Sequence, residues 1–351
     1  MERDKTLLFV SRVTLPPGER GNACYSLDCV EALRRGGWDV HVLVTEGAAR
    51  IPEVWDTTPT PEEAELVRRT IAALRPRALL VNYTYLAELL DLAPAGCRRG
   101  VLTHDARHLR HADFVNRGLR AETSAWTADD ERRALGHAEF AVAIQPDEAA
   151  EFARLAPGLD VLTAPCSFAP RELPEPAQPD ACIFVGSGAD HNLHGMQWFL
   201  ERVWPQVLAA RPSARLRICG TIGHRLGPAG PGMEKLGRVD DLAPHYAWSA
   251  VAVAPLLAGS GLKLKLVEAL GMGRPGVATP SGLAGLEGEG CVLVGEDPEG
   301  FRDALLRLFA DPALAAALGR AGRDLVRRRF SREACYGPLL GYLGTPAKGG
   351  R

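Results

Sequence analysis

No apolar run in this sequence approaches the roughly 18 residues that a membrane-spanning helix needs. The amino terminus, MERDKTLLFVSRV, is charged and then enters a strand-like segment, which is not typical of a secretion signal. An excess of either charge is also missing, because 41 basic and 43 acidic residues give a formal net charge of −2 over 351 residues. Nucleic-acid binders are usually clearly basic. We therefore expect a cytoplasmic protein with no nucleic-acid partner and at most peripheral membrane contact.

Paired cysteines are absent as well. The eight cysteines are scattered singly, without a CxxC pair, and several lie in apolar strand-like runs. This spacing argues against a zinc site and against a disulfide scaffold, and it predicts reduced, mostly buried thiols. His104, His108 and His111 lie close together, but His104 ends a predicted strand, so at most two of them share a helix face. We therefore expect no metal site.

What the sequence does have is a repeated alternation of short apolar runs, turns and amphipathic stretches, which is typical of α/β units around parallel sheets. The predicted strands are Thr6–Val10, Asp39–Val44, Ala78–Val81, Gly100–Thr103, Phe140–Ile144, Asp160–Leu162, Cys182–Val185, Leu216–Cys219, Val251–Ala254 and Gly276–Ala278. The predicted helices are Asn22–Arg35, Pro61–Leu74, Asp129–Leu135, Asp147–Leu155, Met196–Ala210, Leu242–Trp248, Leu262–Met272, Glu299–Leu308, Pro312–Arg329 and Ser331–Tyr342.

A proline-rich stretch divides this pattern into two halves. Pro165–Asp180 holds five prolines and no helical or strand period, so we predict a linker at 166–180. It separates a Rossmann-like domain at 1–165 from a second one at 181–330, and we expect the helix at 331–345 to pack back on the first. The predicted fold class is α/β, with two Rossmann-like domains facing each other across a cleft. Ligands bind outside the carboxyl ends of the strands in such sheets, so that cleft is the expected site.

The most specific motif is GSGLKLKLVEALGMGRP at 259–275. Gly259 and Gly261 let the backbone approach a ligand, and the first turn of the following helix offers unpaired N–H groups and a positive dipole end. Such a helix start is a natural phosphate site. Lys263 lies in that predicted first turn, where a cation is unfavourable unless an anion binds nearby. Glu268 falls on nearly the same helix face as Gly261, about 10 Å further along the axis.

The motif therefore predicts a helix that holds a pyrophosphate at its tip and a ribose diol at Glu268. The alternative is an amphipathic core helix with a solvated Lys/Glu face, since Leu262, Leu266 and Leu270 form an apolar stripe. A second glycine pair, at Gly186 and Gly188, matches only part of the dinucleotide fingerprint, and the next strand does not end in the acidic residue that a dehydrogenase needs.

These motifs resemble the donor-binding signature of the retaining GT-B glycosyltransferases of family 4, the group 1 transferases. The resemblance is strongest in FVGSGADHNLHGMQWFLERVWPQV and VAPLLAGSGLKLKLVEALGMGRPGVATPSGLAGL, and it covers most of residues 182–330. It is weaker in the first half, through LLFVSRVTLPPGERGNACYSLDCVEALRRGGWDVHVL, VLTHD and AVAIQPDEA. It implies the GT-B fold and a metal-independent, cofactor-free enzyme that moves a sugar from a nucleotide-diphosphate sugar to an acceptor with retention of configuration.

The resemblance also assigns residues. Glu268 matches the second glutamate of the family's motif, which contacts the nucleotide ribose, whereas the first glutamate falls at Ser260. The arginine and lysine that neutralise the diphosphate in many members fall at about Ser187 and His194, so Lys263 is the expected replacement. The full set of expected donor-binding residues is Gly21, Asn22, Gly186, Ser187, Gly220, Val239, Leu242, Ser260, Gly261, Leu262, Lys263 and Glu268.

His104 and Asp105 are the expected catalytic residues, because they follow the strand Gly100–Thr103 and a histidine beside an aspartate can be an oriented polar group near a reacting sugar. The alternative is a surface histidine without a role. Within the donor set, Val239 and Leu242 are expected near the nucleobase, mainly through their backbone.

The two halves differ in charge. Residues 1–165 carry 20 basic and 25 acidic residues, whereas residues 166–351 carry 21 and 18. A positive donor half suits a nucleotide diphosphate, and an acidic first half leads us to expect a small, soluble acceptor. Two alternatives stay open: a nucleotide-sugar 2-epimerase of the same fold, which would need carboxylate acid/base groups at the cleft, and a catalytically degenerate nucleotide-sugar-binding partner protein, which Ser260 would suit.

Overall fold

The computed structural model describes residues 5–13, 21–45, 57–120 and 125–345. Contacts divide the chain into two compact units. The first unit comprises residues 1–112, 123–167 and 332–351, and the second unit comprises 113–122 and 168–331. Each unit contains a six-stranded parallel sheet, in agreement with the predicted α/β class.

The sheet of the first unit has fully buried, mainly apolar strands at 6–11, 78–82 and 140–143, as expected for parallel strands covered on both faces. Its strands are β1 (Thr6–Ser11), β2 (Asp39–Val44), β3 (Ala78–Asn82), β4 (Arg98–Leu102), β5 (Phe140–Ala143) and β6 (Asp160–Thr163). They are arranged in the order β2-β1-β3-β4-β5-β6. The sheet changes direction of growth between β1 and β3, which makes this pair its topological switch point.

Helices connect these strands. They are α1 (Gly21–Arg35), α2 (Pro61–Leu74), α3 (Arg107–Asn116), α4 (Ala128–Leu135) and α5 (Pro146–Leu155), with a 3₁₀ helix at Thr84–Leu92. The start of α2 shows how local sequence fixes an element. Thr60 caps the helix, its hydroxyl accepting from the Glu63 N–H, while the Glu63 carboxylate accepts from the Thr60 N–H. This reciprocal capping box fixes the start of the helix at Pro61, where the amphipathic pattern had placed it.

The sheet of the second unit has the order β12-β11-β10-β7-β8-β9. Its strands are β7 (Gln178–Val185), β8 (Arg215–Cys219), β9 (Met233–Gly237), β10 (Ser249–Ala254), β11 (Gly276–Ala278) and β12 (Val292–Val294). Its helices are α6 (Asp190–Trp198), α7 (Trp204–Ala210), α8 (Ala243–Trp248), α9 (Leu264–Gly271), α10 (Pro298–Ala310) and α11 (Pro312–Arg329). The switch point of this sheet lies between β7 and β10.

The last helix, α12 (Arg332–Gly344), belongs to the first unit. The Tyr336 hydroxyl donates to Asp28 Oδ2 on α1 at 2.8 Å, and the Ser167 N–H donates to the same oxygen at 2.6 Å. Asp28 therefore ties the end of the chain to α1 and to the segment that follows β6.

Several element boundaries differ from the predictions. The linker was expected to extend to residue 180, but β7 begins at Gln178. The strands Met233–Gly237 and Val292–Val294 were not predicted, because one contains charged residues and the other is only three residues long. No helix in the described ranges is long and apolar enough to cross a bilayer. No disulfide joins the eight cysteines, which all lie in the described ranges. All except Cys24 are buried, as predicted from their positions in apolar runs.

Candidate active site

Two glycines bring the loops after β7 and β8 together at the carboxyl edge of the second sheet. Gly220 has a φ of +99°, and a Cβ at this position would lie 2.2 Å from the Gly186 carbonyl oxygen. The Gly186 N–H donates to the Cys219 carbonyl at 3.0 Å, and its own carbonyl accepts from the Ile222 N–H at 3.2 Å. Glycine is required at 220 both by the backbone conformation and by this close approach.

Hydrogen bonds also hold the loop that leads into α6. Asn192 Nδ2 donates to the Ser187 carbonyl at 2.9 Å, and the Gly188 N–H donates to Thr221 Oγ1 at 2.9 Å. The structure therefore places Ser187 beside Asn192, which had not been singled out in the sequence.

The loop at Gly259–Lys263 follows β10 and leads into α9. Gly259 and Gly261 have φ values of +114° and +80°. The helix begins at Leu264, two residues later than predicted, so Lys263 occupies the cap position rather than the first turn. Its Nζ donates to the Gly259 carbonyl at 2.8 Å and to the Ser260 carbonyl at 2.9 Å. The ammonium group is buried, and these two contacts stabilise its own loop.

Lys265 is a second cation in this region, and our sequence analysis missed it. Its Nζ contacts Asn192 Oδ1 and lies 4.6 Å from the centroid of the Phe184 ring. Burial, with a smaller effect from Lys263, lowers the pKa of Lys265 to about 7. The spacing of the sequence could have indicated Lys265 as a site residue, because it precedes Glu268 by three residues and so lies on the same face of the helix.

Glu268 is the half-buried carboxylate on that face. It accepts a hydrogen bond from the Tyr246 hydroxyl at 3.2 Å. Burial raises the pKa of Glu268 to about 7, although the Tyr246 hydrogen bond opposes this effect. Within the described part of the chain, neither Lys265 nor Glu268 has an ion-pair partner. Because burying a charge without a partner is costly, the pair is suited to a ligand that brings an anion to Lys265 and hydrogen-bond donors to Glu268.

The expected nucleobase residues lie near the same helices. Val239 and Leu242 are half-buried and pack against a small apolar cluster that includes Cys219, Tyr246 and Ala269. Leu242 is the residue before α8. Tyr246 belongs to this cluster and also donates a hydrogen bond to Glu268, so the cluster lies beside the carboxylate.

In the first unit, His104 is oriented by Asn82 rather than by its sequence neighbour. His104 Nε2 lies 2.7 Å from Asn82 Oδ1, whereas Asp105 forms an ion pair with Arg110. The imidazole stacks on Tyr83 with ring centroids 3.9 Å apart. Burial, reinforced by Arg110, lowers the pKa of His104 to about 3, so the ring is neutral at physiological pH. A neutral ring can accept or donate a hydrogen bond but cannot supply a positive charge.

Other expected residues are placed as follows. Gly21 and Asn22 begin α1, but their side chains and residues 14–20 lie outside the part of the chain that the structure describes. His108 makes hydrogen bonds with Glu131 at 3.3 Å and Glu151 at 2.8 Å. In the described ranges no group of three or more His, Cys, Asp and Glu side chains is arranged to hold a metal ion.

The clearest similarity to known proteins lies in the second unit. Residues 179–311 match the family model described as glycosyl transferases group 1. A GDP-mannose-dependent monoacylated alpha-(1-6)-phosphatidylinositol monomannoside mannosyltransferase from Corynebacterium glutamicum is 31% identical over 151 residues, which cover 38% of this chain and 40% of that protein. The chain thus aligns with less than half of this relative.

Solved structures resemble the whole chain. Sucrose-phosphate synthase from Thermosynechococcus elongatus has a TM-score of 0.76 at 18% identity, covering 97% of this chain and 98% of that one. HepE from Anabaena, solved in complex with UDP, has a TM-score of 0.65 at 13% identity over 96% of this chain and 99% of that one. At these identities the likeness establishes the fold, which is the expected GT-B fold, and not the activity.

Proposed function

We propose that this chain, whose residues 179–311 form a group 1 glycosyl transferase domain on a GT-B fold, transfers a sugar from a nucleotide-diphosphate sugar to a hydroxyl or amine acceptor. The observation that carries the proposal is the pair formed by Lys265 and Glu268. Both side chains are half-buried, neither has an ion-pair partner in the described ranges, and both lie on the helix that follows the glycine loop.

The donor would bind at the switch point of the second sheet. Lys265 would contact the diphosphate, with the backbone amides of Gly261 and Leu262 in the loop before α9, while Lys263 holds the conformation of that loop. Glu268 would accept hydrogen bonds from the ribose diol. The loops at Gly186–Ser187 and Gly220 would border the diphosphate, and the backbone at Val239–Leu242 would contact the base.

The same groups suit the chemistry of transfer. Negative charge grows on the diphosphate as the bond to the sugar breaks, and a fixed cation with oriented amides stabilises that charge without a metal ion. We propose that configuration is retained, that the departing phosphate takes the acceptor proton, and that the first unit receives the acceptor. His104 would contribute a hydrogen bond, because its pKa of about 3 excludes a role as a charged acid at neutral pH.

The acceptor is proposed to be small and soluble, because the first half of the chain has an acidic balance that disfavours anionic membranes. Co-sedimentation with vesicles that contain anionic lipid tests this point. Vesicles of neutral lipid are the control, and strong binding to the anionic vesicles alone would contradict a soluble acceptor.

A nucleotide screen followed by turnover tests the donor assignment. UDP, GDP, ADP, CDP and TDP are compared by thermal shift, with the corresponding nucleoside monophosphates as controls for the diphosphate. UDP and GDP come first, because a structural neighbour was solved with UDP and the sequence relative is named GDP-mannose-dependent. The selected sugar donor is then incubated with acceptors, and the anomeric configuration of the product is determined by NMR.

Each outcome of this experiment separates the candidates. Transfer with an unchanged anomeric configuration supports the proposal. Inversion at C2 of the donor without an acceptor would support an epimerase, and binding without turnover would support a degenerate partner protein. No stabilisation by any diphosphate would contradict the donor site itself.

A further inference from the structure

A chain of hydrogen bonds at the carboxyl edge of the first sheet has one consistent direction. The Ser11 hydroxyl donates to the Val13 carbonyl at 2.9 Å, so its single proton is already used. The Asn82 atom that lies 3.0 Å from Ser11 Oγ must therefore be the donor Nδ2. Asn82 Oδ1 then faces His104 Nε2 at 2.7 Å and can only accept. His104 Nε2 consequently carries the ring proton.

We infer that Ser11 and Asn82 are positioning residues, which fix His104 in the Nε2–H tautomer and keep its Nδ1 as an acceptor for a hydroxyl group of a sugar substrate. This inference rests on the proposed transferase function for the identity of the hydroxyl. Across the described ranges, His104 Nδ1 has no hydrogen-bond partner. The side chain is only half-buried and Nδ1 keeps some exposure, so this atom is open to a ligand.

The fold supports a functional role for this chain of hydrogen bonds. Ser11 is the last residue of β1 and Asn82 the last of β3, and these neighbouring strands form the switch point of the first sheet. Ligands of open α/β sheets bind at such points. Tyr83 adds a second sign, because its φ of +78° is rare for a bulky residue and its ring stacks on His104. Strained backbone of this kind concentrates at functional sites.

The groups around His104 predict that its protonation does not change between pH 5 and pH 8. The charged group that acts on it is Arg110 on α3, which disfavours a second positive charge. Tyr25 on α1 approaches edge-on with ring centroids 5.1 Å apart, Ser26 Oγ lies 3.4 Å from Nε2, and Tyr83 covers one face. A serine hydroxyl does not titrate in that range, and burial raises the pKa of Tyr25 well above its usual value.

Long-range ¹H–¹⁵N NMR of the ligand-free protein with labelled histidine tests the tautomer directly. The signals of His104 are assigned as those missing from the H104Q variant. We expect a protonated Nε2 and an unprotonated Nδ1 in the wild type from pH 8 to pH 5. A ring protonated at Nδ1, or one that titrates near pH 6.5, would overturn the inference.

Two variants test the positioning residues in the same spectra. Asn82→Asp places a carboxylate against Nε2, so His104 should titrate between pH 5 and pH 8. Ser11→Ala removes the acceptor of Asn82 Nδ2. The Ser26 hydroxyl, 3.2 Å from Asn82 Oδ1, can donate or accept and so does not fix the amide by itself. A mixture of the two neutral tautomers is therefore expected. Asn116→Asp, at the exposed end of α3, is the control and should leave the His104 signals unchanged. Unchanged signals in both test variants would contradict the assigned roles, and near-UV circular dichroism checks that each variant is folded.

Activity provides the readout for the hydroxyl contact. The rate of N82D relative to the wild type should fall at least roughly tenfold between pH 8 and pH 5.5, because protonation of Nδ1 removes the acceptor. The same ratio for N116D should stay constant with pH. A constant ratio for N82D, with the shifted titration seen by NMR, would show that Nδ1 does not contact substrate. Lack of any transfer activity would contradict the proposed function, while the spectra still decide the tautomer.

Discussion

The pair on α9 shows how much of the site could be predicted from single residues. Glu268 and the glycine loop could be predicted from the sequence, because Glu268 follows Gly261 by seven residues and so falls on nearly the same face of the helix. The partners of the two lysines were not visible. Lys263 and Lys265 both come after the two glycines, and their roles depend on where the helix begins. Because it begins at Leu264, Lys263 contacts carbonyls of its own loop, whereas Lys265 contacts Asn192.

The pKa values of this pair predict a bell-shaped pH dependence for donor affinity. A diphosphate requires the charged form of Lys265 and a ribose diol the charged form of Glu268, and both groups titrate at about 7. Affinity for the nucleotide sugar should therefore peak near neutral pH and fall by up to about tenfold per pH unit on either side. Calorimetric titration from pH 5.5 to 8.5 measures this.

Two substitutions separate the limbs of that profile. Glu268→Gln should remove the decline at low pH, and Lys265→Met should remove the decline at high pH while weakening binding most below pH 7. The exposed Glu287→Gln is the control for charge alone. A profile that is the same in all variants would show that this pair does not contact the donor.

The contact between Gly220 and Gly186 makes a second prediction at the residue scale. Gly220→Ala should destabilise the second unit by about 2–5 kcal/mol, because its Cβ overlaps a backbone oxygen and its φ is left-handed. Gly288→Ala has a similar φ of +75° but no atom within 4 Å of the added Cβ, so it should cost only about 1–2 kcal/mol. Urea unfolding compares them, and equal costs would exclude the steric explanation.

Among the elements, strong local signals explain most of the correct boundaries. The amphipathic pattern predicted Pro61–Leu74 and Pro312–Arg329 with the observed bounds, and the structure shows that Thr60 and Asp311 cap their starts. The region Asp190–Ala210 is different, because a π-helical turn at Phe199–Val203 interrupts it. There the Trp204 N–H donates to the Phe199 carbonyl, and the following Pro205 has no N–H for the regular helical bond. Such a turn depends on packing and cannot be predicted from periodicity.

Helix α2 provides a test at this scale. Glu63 accepts from Arg12 Nε at 2.8 Å and from Thr45 Oγ1 at 2.7 Å, and both charged side chains are buried. Glu63→Ala should destabilise the first unit by about 3–5 kcal/mol, because Arg12 loses its buried carboxylate partner. Glu65→Ala on the same helix removes only exposed pairs with Arg68 and Arg69, so its cost should stay below about 1 kcal/mol. Similar losses in the two variants would contradict this reasoning.

The same helix gives the first unit an acid sensitivity. Burial alone would raise the pKa of Glu63, but hydrogen bonds from Arg12, Thr60 and Thr45 outweigh it and lower the pKa below its usual value. The stabilisation is therefore present above the unfolded pKa of about 4.3 and is lost as the pH falls through the folded pKa. This pH-dependent stabilisation should be absent from the Glu63→Ala variant. Its free energy of unfolding should therefore depend less steeply on pH in that range than that of the wild type.

At the scale of the whole molecule, the sequence predicted two halves but not how the chain is shared between them. The proline-rich stretch indicated a boundary near residue 166, close to the division after Ser167. Residues 113–122, however, are part of the second unit, although they follow a strand of the first. Nothing in their composition signals this, because membership in a unit depends on contacts that only the folded chain makes.

The position of α12 predicts different effects of two truncations. A chain that ends at Ser331 loses the buried side chains of Cys335, Tyr336 and Leu339 from the first unit, so the unfolding transition of that unit should shift to lower temperature. The transition of the second unit should change little. A chain that ends at Thr345 keeps all of α12 and should behave like the full chain in calorimetry. Equal behaviour of the two truncated chains would show that α12 does not stabilise the first unit.

The distribution of thiols makes the protein its own unfolding reporter. Only Cys24 is exposed, while burial raises the pKa of Cys97 in the first unit to about 12 and that of Cys219 in the second to about 11. An alkylating reagent should therefore modify one cysteine in the native protein and the others only as their surroundings open. Mass spectrometry of peptides after brief labelling would then show, without any introduced dye or mutation, which of the two sheets comes apart first.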